Sequence, residues 1–350
     1  MTNADGLRSQ LHELDDAFAV QEFYHSRGWT DGLPIVPPTE DAVTACLEWA
    51  LLGPDHIIGV EPVRKRALTA EKVAVNAVMA GCLPAHFPVV VTAVTAILSE
   101  PFLLHGASAS TGGCAVLLVV NGPIRHETAM SSSFNALGSS DRATTCIGRA
   151  VRLVLGNLLE VRSGQIDRST LGHPGKISYC VAEDEQDTSW LSLSHERIGD
   201  PHASAVTAMA AMAPRQIMNE WTTEPEQILD TFVAEIKANM AHYSIWGGNY
   251  AMVVAPQLRQ HFETAGWSKS DIRTYVFEQA RMHRRDWALC GKANVVGEKG
   301  DREYQALASP DDLLVVAAGG PAGGFGAVIP PWLGTKSRAV TVPVGACVDC

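Results

Sequence analysis

Three short apolar runs, each flanked by paired glycines, constrain this chain more than any other feature. Gly112-Gly113 precedes residues 114–120, Gly247-Gly248 precedes 250–254, and residues 313–318 run into Gly319-Gly320. Runs of this length, rich in Val and Leu and bounded by turn residues, are too short for helices and read as buried strands. Longer segments with helical spacing lie between them, so the expected fold class is α/β, with mixed sheets flanked by helices. A glycine turn, a strand, a Ser-Asp cap and an arginine-containing helix occur in that order at 112–155 and again at 247–283, which points to two duplicated halves. The corresponding division is an N-terminal helical and proline-rich segment (1–68), a first α/β half (69–200) and a second α/β half ending in a Cys-x-x-Cys tail (201–350).

Local signals fill in the rest. Residues 7–27 have helical spacing and stop at Arg27-Gly28, and the prolines of residues 29–38 impose an extended path before Thr39 caps the next helix. Helices are expected over 70–80, closed by Gly81, and over 84–100, 142–159 and 228–240. Residues 203–213 are ambiguous: Ala and Met favour helix, whereas Val206-Thr207 and Pro214 suit a strand. The glycines of 319–326 lack the Lys-Ser or Lys-Thr of a triphosphate loop and instead suit two backbones passing closely.

With 350 residues, 46% hydrophobic and 19% charged, the chain has enough apolar material for a large core. A net charge of −11 argues against a nucleic-acid partner, which needs a basic face. The first residues lack the basic and apolar regions of a signal peptide, and no apolar stretch reaches the roughly 20 residues of a membrane span, so a cytoplasmic protein is expected. Of the 8 cysteines, 6 lie in apolar runs and read as small buried hydrophobes, while Cys347 and Cys350 end the chain as a thiol pair.

Several polar positions could carry chemistry. Asp31, in a turn locked by Gly32 and Pro34, and His105, in the polar loop before the first strand, are the candidate acid and base. Ser108 in that loop, Asn121 at the strand's far end, Ser131 and Ser132 in the following loop, and Arg142 at a helix start are the candidate substrate-binding residues; an arginine beside exposed helix N–H groups suits a carboxylate or phosphate. His105, Ser132 and Arg142, all flanking the same strand, are expected to share one pocket. Cys347 and Cys350 could instead serve redox chemistry or a soft metal, but without a second Cys-x-x-Cys the metal signal is weak and no metal or cofactor is expected.

Four separated segments, Gly28-Trp29-Thr30-Asp31-Gly32-Leu33-Pro34, Val119-Val120-Asn121-Gly122-Pro123-Ile124-Arg125, Thr170-Leu171-Gly172-His173-Pro174-Gly175-Lys176 and Ala265-Gly266-Trp267-Ser268-Lys269-Ser270-Asp271, together resemble a bacterial family associated with UGSC-motif (seleno)proteins. The resemblance implies a small thiol- or selenol-bearing protein as partner, because this chain has no UGSC motif of its own. Three functions follow: a lyase- or cyclase-like biosynthetic enzyme, expected as a homo-oligomer, that makes or breaks a carbon–heteroatom bond in a small polar or anionic metabolite; a thiol oxidoreductase using the terminal cysteines; and a non-catalytic subunit of a thiol or selenol protein.

Overall fold

The computed structural model describes residues 6–138, 141–243, 248–332 and 336–345. Ser139, Ser140, Cys347 and Cys350 lie outside the described residues. Two four-stranded mixed sheets form the centre. The first contains β3 (Ala115–Asn121), β4 (Cys180–Ala182), β5 (Ala205–Ala211) and β12 (Val340–Pro343) in the order β12-β5-β3-β4. The second contains β6 (Arg215–Met218), β7 (Tyr250–Val254), β10 (Leu313–Ala317) and β11 (Phe325–Ile329) in the order β10-β7-β11-β6.

Side-chain alternation makes these sheets the middle of four layers. On β3, Ala115, Leu117 and Val119 face one way and Leu118 and Val120 the other; β7 divides likewise into Ala251 and Val253 against Tyr250, Met252 and Val254. The first set from each sheet forms a shared inter-sheet core, completed by Leu314 and Val316. The second sets pack under helices, so both faces of each strand are buried and the runs read as continuously apolar. Over the first sheet lie α2 (Glu40–Trp49), α3 (Ala70–Ala80), α4 (Phe87–Leu98), α5 (Leu104–Ala109) and α7 (Arg142–Asn157). Over the second lie α9 (Pro225–His242), α10 (Pro256–Thr264) and α11 (Lys269–Gln279). The short helices α1 (Ala17–Ser26), α6 (Ile124–Glu127) and α8 (Leu193–Ile198) and the ribbons β1 (Ile57–Val60) with β2 (Ala67–Thr69) and β8 (Arg281–His283) with β9 (Glu303–Gln305) complete the described α-helices and strands, which short 3-10 turns connect. Among the described residues no single helix is long and apolar enough to cross a membrane.

The two sheets share one connectivity. In the first, β3 is parallel to β4 and antiparallel to β5, which is antiparallel to β12. In the second, β7 is parallel to β10 and antiparallel to β11, which is antiparallel to β6. Each half lends its last strand to the other sheet: β6 follows β5 but pairs with β11, and β12 follows β11 but pairs with β5. Both β5 and β12 lie after residue 201 yet pair in the first sheet, because strand pairing overrides order along the chain.

Three local expectations also shift. Residues 7–15 are not helical; the first helix begins only after Asp16, whose side chain accepts the Ala19 N–H. The ambiguous 203–213 segment is the central strand β5, because its neighbours β3 and β12 satisfy its backbone on both sides. Helix α11 is capped by Ser268, two residues earlier than Ser270, since Ser268 and Asp271 exchange bonds in a capping box. The six described cysteines divide as well: four are buried, Cys146 is half-buried and Cys290 is exposed.

Candidate functional site

A small cavity of about 40 Å³ lies at the N-terminal end of β3, between α5, the middle of α7 and the turn at residues 174–176. Two glycine-dependent contacts build it. Gly113, with φ of +77°, lies so close to Gly172 that a Cβ would sit 2.9 Å from its backbone, and Thr170 N–H bonds Thr111 O at 3.0 Å. These contacts join the polar loop before β3 to the segment carrying Lys176. Gly148 lets α7 lie directly on Ser178 and Tyr179, where any side chain would collide with the backbone.

The walls are largely apolar, with Leu104, Ala107, Val116, Val151 and Leu155 among them, and the polar residues lining it are Ser108, Cys114, Arg152 and Lys176. Lys176 Nζ bonds Asp167 Oδ2 at 2.7 Å and Ser169 Oγ at 2.8 Å, and Arg152 Nη1 stands 3.9 Å from the same carboxylate oxygen. Two cations thus share one buried carboxylate. Burial alone would raise the Asp167 carboxyl, but bonds from Lys176 and from the Ser169 hydroxyl and N–H outweigh it and hold it below the usual range. Burial pushes the Cys114 thiol up to about 12 although Lys176 pulls the other way, so Cys114 is a thiol at neutral pH. Its Sγ donates to Ala107 O, and the Ser108 hydroxyl donates to His105 O.

His173 braces the turn that aims Lys176. Its Nδ1 accepts the Gly175 N–H, leaving Nε2 to donate to Ala211 O, and its ring meets Tyr179 edge-on at 5.7 Å. Burial lowers its pKa, so the imidazole is neutral at pH 7.

A second charged cluster occupies the opposite end of β3. Glu183, directly after β4, is buried and ion-paired with buried Lys269 of α11. It also accepts Asn121 Nδ2 at 2.6 Å, Leu193 N–H at 2.7 Å and Ala317 N–H at 3.3 Å. Glu185 joins through Asn121 Nδ2 and Arg125 at 2.9 Å each. The cluster ties the first sheet to a helix and a strand of the second.

Of the described residues singled out by sequence, Ser108 alone lines the cavity. His105 sits on α5 with its Nδ1 buried and unpartnered, and Asn121 belongs to the Glu183 cluster. Asp31 is held by Arg149, which donates to both its oxygens at 2.8 and 2.9 Å; this outweighs burial and keeps its carboxyl below the usual range, leaving a structural anion and a poor general acid. Ser131 N–H bonds Asp141 and Ser132 O accepts Gly319 N–H. Arg142 donates to Gly81 O at the end of α3, and the Ser131–Asp141 bond sets the loop carrying Ser132 beside this helix start.

Lys176, Arg152 and Asp167 were missed. Lys176 stands in one of the segments that carry the family resemblance, whereas neither Asp167 nor Arg152 lies in any of them. Among the described residues no group of three or more His, Cys, Asp or Glu side chains could hold a metal ion. No family model matches the chain, and no curated protein matches it.

Proposed function

We propose that this protein is an enzyme of small-molecule metabolism whose substrate is a small carboxylate with a short apolar body, held in the cavity by Lys176 and Arg152. The observation that carries this reading is the pair of cations sharing the single Asp167 carboxylate on an otherwise apolar wall. Such an imbalance attracts an anion, and low polarity around it strengthens the attraction. Ser108 supplies a hydroxyl, and Val116, Val151 and Leu155 limit the size of the apolar part. The reaction class that fits is making or breaking a carbon–heteroatom bond beside the carboxylate, because nearby cations stabilise the negative charge that builds on its α-carbon.

Calorimetric titration with propanoate and with its neutral counterpart propanamide tests the binding step. Propanoate should bind and propanamide should not, and Lys176→Met should weaken propanoate at least tenfold. Equal affinities for the two compounds, or an unchanged affinity in Lys176→Met, would remove the reading.

A further inference from the structure

At the other end of the sandwich, beyond the carboxyl ends of β7 and β10, the space between the sheets opens into a cleft of about 530 Å³. That position is where open α/β sheets commonly take ligands, and the volume is in the range of small-molecule sites. The opening can be followed along β11. Ile329, Ala327 and Phe325 lie on one face of the strand, and their exposure rises from 0% to 4% to 40%. Phe134, on the loop after α6, flanks the same cleft and is 63% exposed.

Both phenyl rings rest on the glycine loop after β10. A Cβ on Gly320 would meet the Phe134 ring at 2.6 Å, and one on Gly323 would meet Phe325 at 2.6 Å. Glycine at these positions therefore lets the backbone back each ring and leaves the cleft side of the rings uncovered. Gln216 on β6 is paired in register with Ala327 and so shares its face; it lines the cleft together with Asn135. Among the described residues, the cleft lining contains no charged side chain. Two exposed phenyl rings, two side-chain amides and no charge form a surface for a flat, neutral ring with a hydrogen-bonding edge.

We infer that this cleft is a second binding site, separate from the Lys176 cavity, for an uncharged planar heteroaromatic molecule of the nucleobase type, stacked on Phe134 and Phe325 with its edge read by Asn135 and Gln216. The inference goes beyond the proposed substrate and does not depend on it.

Adenine is the probe, with cyclohexanecarboxamide as a non-planar control, each titrated calorimetrically into the full chain up to 5 mM. Adenine should bind and the control should not. Phe134→Ala and Phe325→Ala should each weaken adenine at least fivefold with little change in thermal midpoint, since both rings are exposed, and Gln216→Leu should weaken it about threefold. Lys176→Met should leave adenine binding unchanged, so failure of the carboxylate reading and failure of this one are told apart. No adenine binding at 5 mM, binding of the control with similar affinity, or full affinity in both phenylalanine variants would overturn the inference.

Discussion

The two charged clusters at opposite ends of β3 use similar groups to different ends. Around Glu183 the accounts balance: one buried carboxylate meets one buried ammonium, and its oxygens also receive two backbone N–H groups and an amide. Around Asp167 one carboxylate faces two cations, and both cations also line a cavity. A buried pair gains little net stability over an apolar replacement, yet removing one partner strands the other at high cost. The balanced cluster therefore acts as a joint that fixes the two halves relative to each other. The unbalanced one retains attraction for a further anion. The position of a charge in the sandwich matters less than whether its neighbours already satisfy it.

The largest effect should come from breaking the joint. Glu183→Leu leaves Lys269 buried without its counter-charge and should cost about 3–5 kcal/mol in urea unfolding. The double variant Glu183→Leu/Lys269→Met should recover only the part due to the stranded ammonium, because the Leu193 and Ala317 N–H groups still lose their acceptor. A single variant that costs no more than its Asp167 counterpart would erase the distinction between the clusters.

A smaller loss, about 1–3 kcal/mol, is expected for Asp167→Asn, which removes a buried, hydrogen-bonded charge. Because the folded carboxyl lies below its unfolded value of about 3.9, its contribution is present above that pH and is lost as pH falls through the folded value. The stability difference between wild type and variant should therefore shrink progressively below about pH 4, as followed by urea midpoints across pH. The same variant should bind propanoate more tightly, since the competing carboxylate is gone. Weaker propanoate binding would mean that Asp167 organises the cations more than it competes with the ligand.

Least affected should be Arg152→Met. Its contact with Asp167 is long and partly exposed, so stability should change by less than about 0.5 kcal/mol while propanoate affinity falls about threefold. A stability loss above 1 kcal/mol would make Arg152 part of the scaffold and leave Lys176 as the main cation of the cavity.

The same contrast separates what was legible in the chain from what was not. The strands at residues 115, 250 and 313 could be located from their glycine boundaries and β-branched runs, and the start of α7 from Asp141, because these signals act within a few residues. The close approach of backbones at the 319–326 glycines was also legible, and Gly324 indeed lies against Asn219 O. Ser108, expected in a polar loop before a strand, lies on α5 and lines the cavity. Lys176 and Asp167, although only 9 positions apart, became a site only when Arg152 and the β3 end were folded against them.

Sequence by itself determined the alternation of strands and helices, the largely apolar character of the central strands, both ends of α3 and the start of α7. Only the tertiary structure decided that the two sheets pack face to face, that β6 and β12 each complete the other half's sheet, and which charges are satisfied. Asp31 finds Arg149 across 118 positions and Glu183 finds Lys269 across 86. The physical reason is range: caps, turns and side-chain periods are written in neighbouring residues, whereas the partner of a buried charge is set by which distant surfaces the whole core brings together.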